Sequence, residues 1–154
     1  MTELLIRKSI EIDAPIETLW KVLTDSQFIR QYMFGCNAET EWKTGSPLLW
    51  RGAADGKLYV KGHVVSIDPP HRLAYTIFDP NSTIPDIPAN YLTMTCELKK
   101  NNDRISVLEI TQGDFSTVAD GDRRYRHSLG GDDIVLQGIK QVAEAESRVR
   151  SSRS

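Results

Sequence analysis

The chain has 154 residues, of which 40% are hydrophobic and 26% are charged, and its formal net charge is −2 at pH 7. This length and composition are typical of one globular domain with a single hydrophobic core. The lack of a basic excess argues against a nucleic-acid-binding protein, and no apolar stretch approaches the roughly 18 residues of a membrane span.

The N-terminal segment predicts a strand followed by two short helices. Residues 5–13 alternate between apolar and polar side chains, although Lys8 interrupts the apolar side, and this period of two indicates a β-strand. Residues 14–25 and 26–34 change to helical spacing. Because the first residues alternate and carry charge, they do not have the form of a signal peptide, and we expect a cytoplasmic protein.

The middle of the chain predicts an antiparallel sheet. Short alternating segments are separated by turn residues, and the hairpin-length connections favour strands that follow one another in space. The predicted strands are residues 38–43, 48–53, 58–68, 72–79, 91–99 and 104–113. Residues 80–90 contain three prolines and no period, so we expect a long loop at the rim of the sheet.

The C-terminal part predicts one long helix. Residues 114–133 are polar and irregular, whereas residues 132–150 have one apolar face and begin with Asp132 or Asp133 as a cap. We expect an α+β fold in which six or seven antiparallel strands curve around this helix. The expected single domain spans 1–154, with an ordered core of about 4–148 and a frayed C-terminal tail.

Three stretches resemble a known superfamily. They are "RKSIEIDAPIETLWKVLTD", "DGKLYVKGHVVSIDPPHRLAYTIFDP" and "GDDIVLQGIKQVAEAE". Together they resemble the START-like (SRPBCC) helix-grip superfamily, in its branch of heat-shock protein 90 ATPase activator homologues, over about residues 6–147. The chain departs from that branch at Ile77 and Ile134, where tryptophan is usual. Smaller side chains there either enlarge a cavity or are repacked by their neighbours.

The resemblance implies a cavity for a small apolar molecule between the sheet and the last helix. Relatives in this superfamily include lipid carriers, cyclases, dehydratases and co-chaperone domains, so the family name alone does not assign a function. The leading hypothesis is binding of a lipid, polyketide or flavonoid-like compound. The alternatives are a cyclase or dehydratase using the same cavity, and a stress-response regulator that has heat-shock protein 90 as its partner.

The candidate ligand-binding residues come from the predicted strands and the last helix. They are Trp50, Tyr75, Ile77, Met94, Glu109 and Ile139. An indole ring either fills a core or lines a cavity, and Trp50 is a better candidate for lining than Trp42. Met94 suits a surface that accepts several ligands.

The inward faces of two strands are not fixed by the sequence. Both faces of strand 72–79 are apolar, and we choose the bulkier one, which carries Tyr75 with its hydroxyl and Ile77. Glu109 enters an apolar interior only if Ile105 and Val107 face inward, and it lies in water if Leu108 and Ile110 do. An interior carboxylate would have a raised pKa and could move a proton.

No metal site or cofactor is predicted. The histidines are scattered, and Cys36 and Cys96 lack metal-ligand spacing. The basic run at residues 123–127 is either a solvated loop or a cluster that attracts an anionic head group at a cavity mouth. An enzymatic role would depend on Glu109, His63 or Tyr75, and with only these single candidates the sequence favours a binding protein over an enzyme.

Overall fold

The computed structural model describes residues 3–152 and contains one seven-stranded antiparallel sheet. The strands are β1 (Ile6–Ile12), β2 (Cys36–Glu39), β3 (Pro47–Gly52), β4 (Leu58–Asp68), β5 (Arg72–Ile77), β6 (Leu92–Lys100) and β7 (Ser106–Gly113). Their order in space is β1-β7-β6-β5-β4-β3-β2. The sheet is curved and unclosed, so the predicted α+β architecture is confirmed.

Three α-helices accompany the sheet. They are α1 (Ile16–Thr24), α2 (Ser26–Tyr32) and α3 (Gly121–Ser152). The side chain of Asp25 accepts a hydrogen bond from the backbone N–H of Gln27 at 2.9 Å and so caps α2. The two short helices after the first strand are therefore confirmed. Within residues 3–152, no helix combines the length and the apolarity needed to cross a bilayer.

The core lies between the inner face of the sheet and α3. Alternate residues of β7, Leu108 and Ile110, point into it, and Leu136 and Ile139 of α3 meet them from the other side. Burial of these side chains holds the helix on the sheet, because each contributes about 1.5–3 kcal/mol when it leaves water.

Two predicted boundaries were wrong. The strand predicted at 38–43 ends at Glu39, and Trp42 adopts a φ of +54° in the turn that follows, a conformation that interrupts a strand. The long helix begins at Gly121 instead of residue 132, so Asp132 and Asp133 lie inside it and cap nothing. The helix also continues through Ser152, and the remainder of the predicted frayed tail, residues 153–154, lies outside the described residues.

Candidate functional site

The first hollow is a small space between α3 and the curved sheet, which we call the inner cavity. Its volume is about 50 Å³. Trp50, Tyr75, Met94 and Ile139 line it together, so the structure brings together four of the six residues predicted from the sequence. Engineered apolar cavities of roughly 150 Å³ accept benzene. The inner cavity therefore has room for a water molecule but not for an aromatic ring.

The aromatic residues of the inner cavity are buried or half-buried. The ring centroids of Trp50 and Tyr75 are 5.8 Å apart, with an angle of 47° between the ring planes. Trp50 is 4% exposed, and its indole N–H has no hydrogen-bond partner within the described part of the chain. Burial raises the pKa of the Tyr75 hydroxyl well above its usual value. The hydroxyl therefore stays protonated at neutral pH.

Glu109 does not line the cavity, so its selection as a ligand-binding residue was wrong: of the two orientations that the sequence left open, the structure shows the outward one. Leu108 and Ile110 are the buried residues of this part of β7, so Glu109 lies on the outer face, where its carboxylate is 3.4 Å from the ammonium of Lys99. His63 is exposed, and its ring nitrogen Nδ1 lies 3.1 Å from the Thr76 hydroxyl. Of the three groups proposed for proton transfer, only Tyr75 lines the cavity.

The carboxylate that does reach the interior is Asp132, on α3. It lines the inner cavity, and burial raises its pKa to about 6, although Lys8 opposes that effect. The amide nitrogen of Gln112, in the orientation that gives both amide atoms a partner, donates to the two carboxylate oxygens at 3.2 and 2.6 Å. Gln112 itself is buried and supplies the hydrogen bonds that an interior carboxylate needs.

Lys8 completes this polar cluster. Its ammonium donates to the backbone carbonyl oxygen of Leu129 at 2.7 Å and pairs with Asp133 at 2.6 Å. The interruption of the apolar side of the first strand by Lys8 was therefore a signal of an interior polar group. This signal could not be recognised while Asp132 or Asp133 was expected to cap the last helix, because a capping aspartate lies at the surface and not in the interior.

A second and larger hollow opens beside the inner cavity, and we call it the outer cleft. It is half-open and has a volume of about 700 Å³. Its apolar lining comes from the sheet and includes Val60, Ile77, Phe78 and Leu92. Ile77 lines this cleft and not the inner cavity. It is therefore separated from the four predicted ligand-binding residues that line the inner cavity. Gln112 also lines the cleft, so the Gln112–Asp132 pair marks the boundary between the two hollows.

The loop predicted at residues 80–90 forms one wall of the outer cleft, with residues 79 and 81–84 lining it. Asp86 fixes this loop through an ion pair with Lys61 of β4 and accepts a hydrogen bond from the Tyr91 hydroxyl at 2.6 Å. Asn90 is buried, and its side-chain oxygen accepts from the backbone N–H of Ala119 at 3.0 Å. These contacts tie the loop both to the sheet and to the segment before α3.

The basic run forms the opposite wall because α3 begins eleven residues earlier than predicted, at Gly121. Arg123, Arg124 and His127 line the cleft from this first part of the helix. Arg123 pairs with Asp120. Arg124 is half-buried, and burial lowers the pKa of its guanidinium.

A third hollow lies on the far side of α3. It is an open groove of about 640 Å³ between α2 and α3, and it includes Phe34 and Ile134. These two side chains are 74% and 63% exposed. Because Ile134 faces this groove, the replacement of the usual tryptophan there does not enlarge the inner cavity.

Metal binding and thiol chemistry receive no support from the geometry. Among residues 3–152, no group of three or more metal-ligating side chains comes together. Both cysteines are buried and free, and burial raises the pKa of the Cys96 thiol to about 12. Cys96 lines the inner cavity as a small apolar group.

A comparison with known protein families and solved structures identifies one family that this chain matches. The sequence model for the activator of Hsp90 ATPase homolog 1-like protein matches residues 13–144. A protein from Cytophaga hutchinsonii with a solution structure is 31% identical, with 95% of this chain and 98% of that chain covered and a TM-score of 0.75. No curated protein matches.

Two other solved structures show the same fold at lower identity. An HSP90 activator from Plasmodium falciparum is 20% identical, with 72% of this chain and 73% of that chain covered and a TM-score of 0.59. The Aha1 dimer from Colwellia psychrerythraea is 15% identical, with 92% and 96% covered and a TM-score of 0.71. At these identities the likeness concerns the fold alone.

Proposed function

Because the chain belongs to the family of activator of Hsp90 ATPase homolog 1-like proteins, we propose that it binds a small hydrophobic molecule. The ligand is a lipid, polyketide or flavonoid-like compound, and it lies in the outer cleft. The observation that carries this proposal is the cleft itself, a half-open space of about 700 Å³ over an apolar surface of the sheet. Ligand pockets in proteins are typically about 300–1,000 Å³ and mainly apolar.

The shape of the cleft supports a ligand that enters from solvent and lies against the sheet. Phe78 and Leu92 are buried beneath it, whereas Val60 and Ile77 are half-buried. Apolar surface that a ligand covers contributes about 25 cal/mol per Å² before the cost of ordering. The anchored loop at residues 79–84 provides a wall that is already formed, which reduces that cost.

A thermal-shift assay against a panel of lipophilic compounds tests this proposal. A ligand at about 100 times its dissociation constant stabilises the folded state by about 2.7 kcal/mol, which raises the melting temperature by several degrees. Ile77→Trp fills the cleft from the sheet and should abolish the shift. Val65→Trp adds the same bulk at an exposed position of β4 and should leave it unchanged. Absence of any shift across the panel would refute the proposal.

A second candidate function is regulation of heat-shock protein 90, and the groove between α2 and α3 favours it. Phe34 and Ile134 expose large apolar side chains to the same groove, and a contiguous exposed apolar patch is one mark of a protein–protein contact. An ATPase assay with the chaperone, using Phe34→Ser and Ile134→Ser, tests it. Stimulation that survives both substitutions would exclude this groove as the contact.

A further inference from the structure

We infer that the ligand of the outer cleft is an amphiphile that carries a carboxylate, and that Arg124 binds this carboxylate. The inference rests on the proposed function and names the chemical class of its ligand. It follows from the polar side chains that share the cleft with the apolar surface of the sheet.

Within residues 3–152, the half-buried guanidinium of Arg124 forms no ion pair with a carboxylate. The only hydrogen bond of this guanidinium found among residues 3–152 is a long one, 3.4 Å from Nη1 to the carbonyl oxygen of Ala119. Asp120, the acidic group with the largest effect on it, is already paired with Arg123. A guanidinium that loses water without gaining a carboxylate is destabilised. A ligand carboxylate would compensate that loss.

The charge distribution of the cleft also favours an anion. Arg123, Arg124 and His127 line it from α3, and Asp79 is the one carboxylate among its described lining residues. The Asp79 carboxylate is engaged by the backbone N–H of Asn81 at 2.8 Å and forms no ion pair with Arg124. Asp79 and Asp120 favour the charged form of Arg124 from a distance, but neither forms an ion pair with it, so the basic wall presents one guanidinium that is able to bind a further carboxylate.

The apolar side chains that line the outer cleft indicate that the remainder of the ligand is hydrophobic. Ile77, Phe78 and Leu92 lie in the same cleft as Arg124, so a hydrocarbon chain or ring system can cover them while its carboxylate contacts the guanidinium. The planar fork of arginine matches a carboxylate through two parallel N–H···O hydrogen bonds. An amphiphile with one anionic end satisfies both surfaces at once.

Calorimetry with decanoate and decanol tests the inference, because the two probes share a chain and differ in charge. Decanoate should bind at least about tenfold more tightly than decanol, which corresponds to about 1.4 kcal/mol. Arg124→Gln should remove this preference and leave decanol binding unchanged. Arg124→Lys keeps the charge but not the fork, and should retain part of the preference.

Arg126→Gln is the matched control, because Arg126 is exposed on the same helix and does not line the cleft. It should leave both affinities unchanged. Equal binding of decanoate and decanol, unaffected by Arg124→Gln in a variant that melts like the parent protein, would overturn the inference and leave the proposed function standing. Failure of both probes and of the neutral panel would overturn the proposed function and the inference with it.

Discussion

Replacement of Asp132 by asparagine should change the pH dependence of stability in a direction fixed by the structure. Asp132 lies on α3 and lines the inner cavity. Burial raises its pKa from the usual 3.8 to about 6, and the positive charge of Lys8 reduces that increase. Asparagine keeps the shape and one oxygen that can accept a hydrogen bond from Gln112, but it cannot ionise. The substitution therefore isolates the free energy of placing one negative charge at this position.

The sign follows from proton linkage. The unfolded chain releases this proton near pH 3.8, whereas the folded protein holds it until about pH 6. Between these two pH values, the Asp132 carboxyl is protonated in the folded state and ionised in the unfolded state. Its contribution to the free energy of unfolding therefore falls as the pH rises through this window and is constant above it. The full difference corresponds to at most about 3 kcal/mol. Partial exposure of the carboxyl and its hydrogen bonds from Gln112 reduce this to about 1–2 kcal/mol.

Urea denaturation of the parent protein and Asp132→Asn between about pH 4 and pH 8 measures this difference directly. The variant should match the parent at the acidic end and exceed its stability by about 1–2 kcal/mol at the alkaline end. Asp133→Asn is the control, since the neighbouring carboxylate is mainly exposed and is paired with Lys8, so its removal should not stabilise the protein. A difference between parent and Asp132→Asn that does not vary with pH would refute the reasoning.

Three further predictions concern packing, the polar cluster and the outer face of the sheet. Gly138→Ala should destabilise the protein by about 1–3 kcal/mol in urea denaturation, because a Cβ there would lie 2.7 Å from the Cβ of Tyr32. Gly130→Ala, with nothing within 4 Å of its added carbon, should instead stabilise the helix by up to about 1 kcal/mol. Lys8→Met should raise the pKa of Asp132 further, because the ammonium of Lys8 favours the ionised carboxylate. NMR of the side-chain carboxyl follows this pKa, and an unchanged value would show that Lys8 does not act on Asp132. Glu109→Gln should change the free energy of unfolding by less than about 0.5 kcal/mol and leave ligand-induced thermal shifts intact; loss of those shifts would show that this residue reaches the ligand.

The longer strands could be predicted because alternating apolar and polar side chains give them a period of two. Residues 58–68 were predicted as a strand and form β4 with the same bounds, and the strand predicted at 104–113 is observed at Ser106–Gly113. The period does not say which face is inward. In β7 the inward face is the one that carries Leu108 and Ile110, which are buried in the core, and Glu109 therefore lies on the outer face.

The first eleven residues of α3 could not be predicted from an apolar stripe, because only Tyr125 and Leu129 among them pack against the core and the others are polar residues or glycines. Residues 121–131 form its first three turns and carry Arg123, Arg124 and two adjacent glycines, Gly130 and Gly131. Glycine lowers helix propensity by about 1 kcal/mol per residue, so the local sequence opposes the structure that tertiary contacts impose. Because residues 121–131 were expected to form an irregular segment, the outer cleft was not predicted either. Its basic wall exists only because these residues are part of α3.

The volumes of the two hollows decide where a ligand can lie. Trp50 and Met94 were predicted to contact it, yet the cavity that they line is only about 50 Å³, which is well below the roughly 150 Å³ that accepts benzene. Enlarging it would require displacing side chains whose burial stabilises the core. The outer cleft needs no such rearrangement and is lined both by an apolar surface and by a half-buried guanidinium that forms no ion pair within residues 3–152. The side chains of the inner cavity therefore act mainly as core, whereas Ile77 and Arg124 line the space that is already open, which is why the proposed ligand is placed against them.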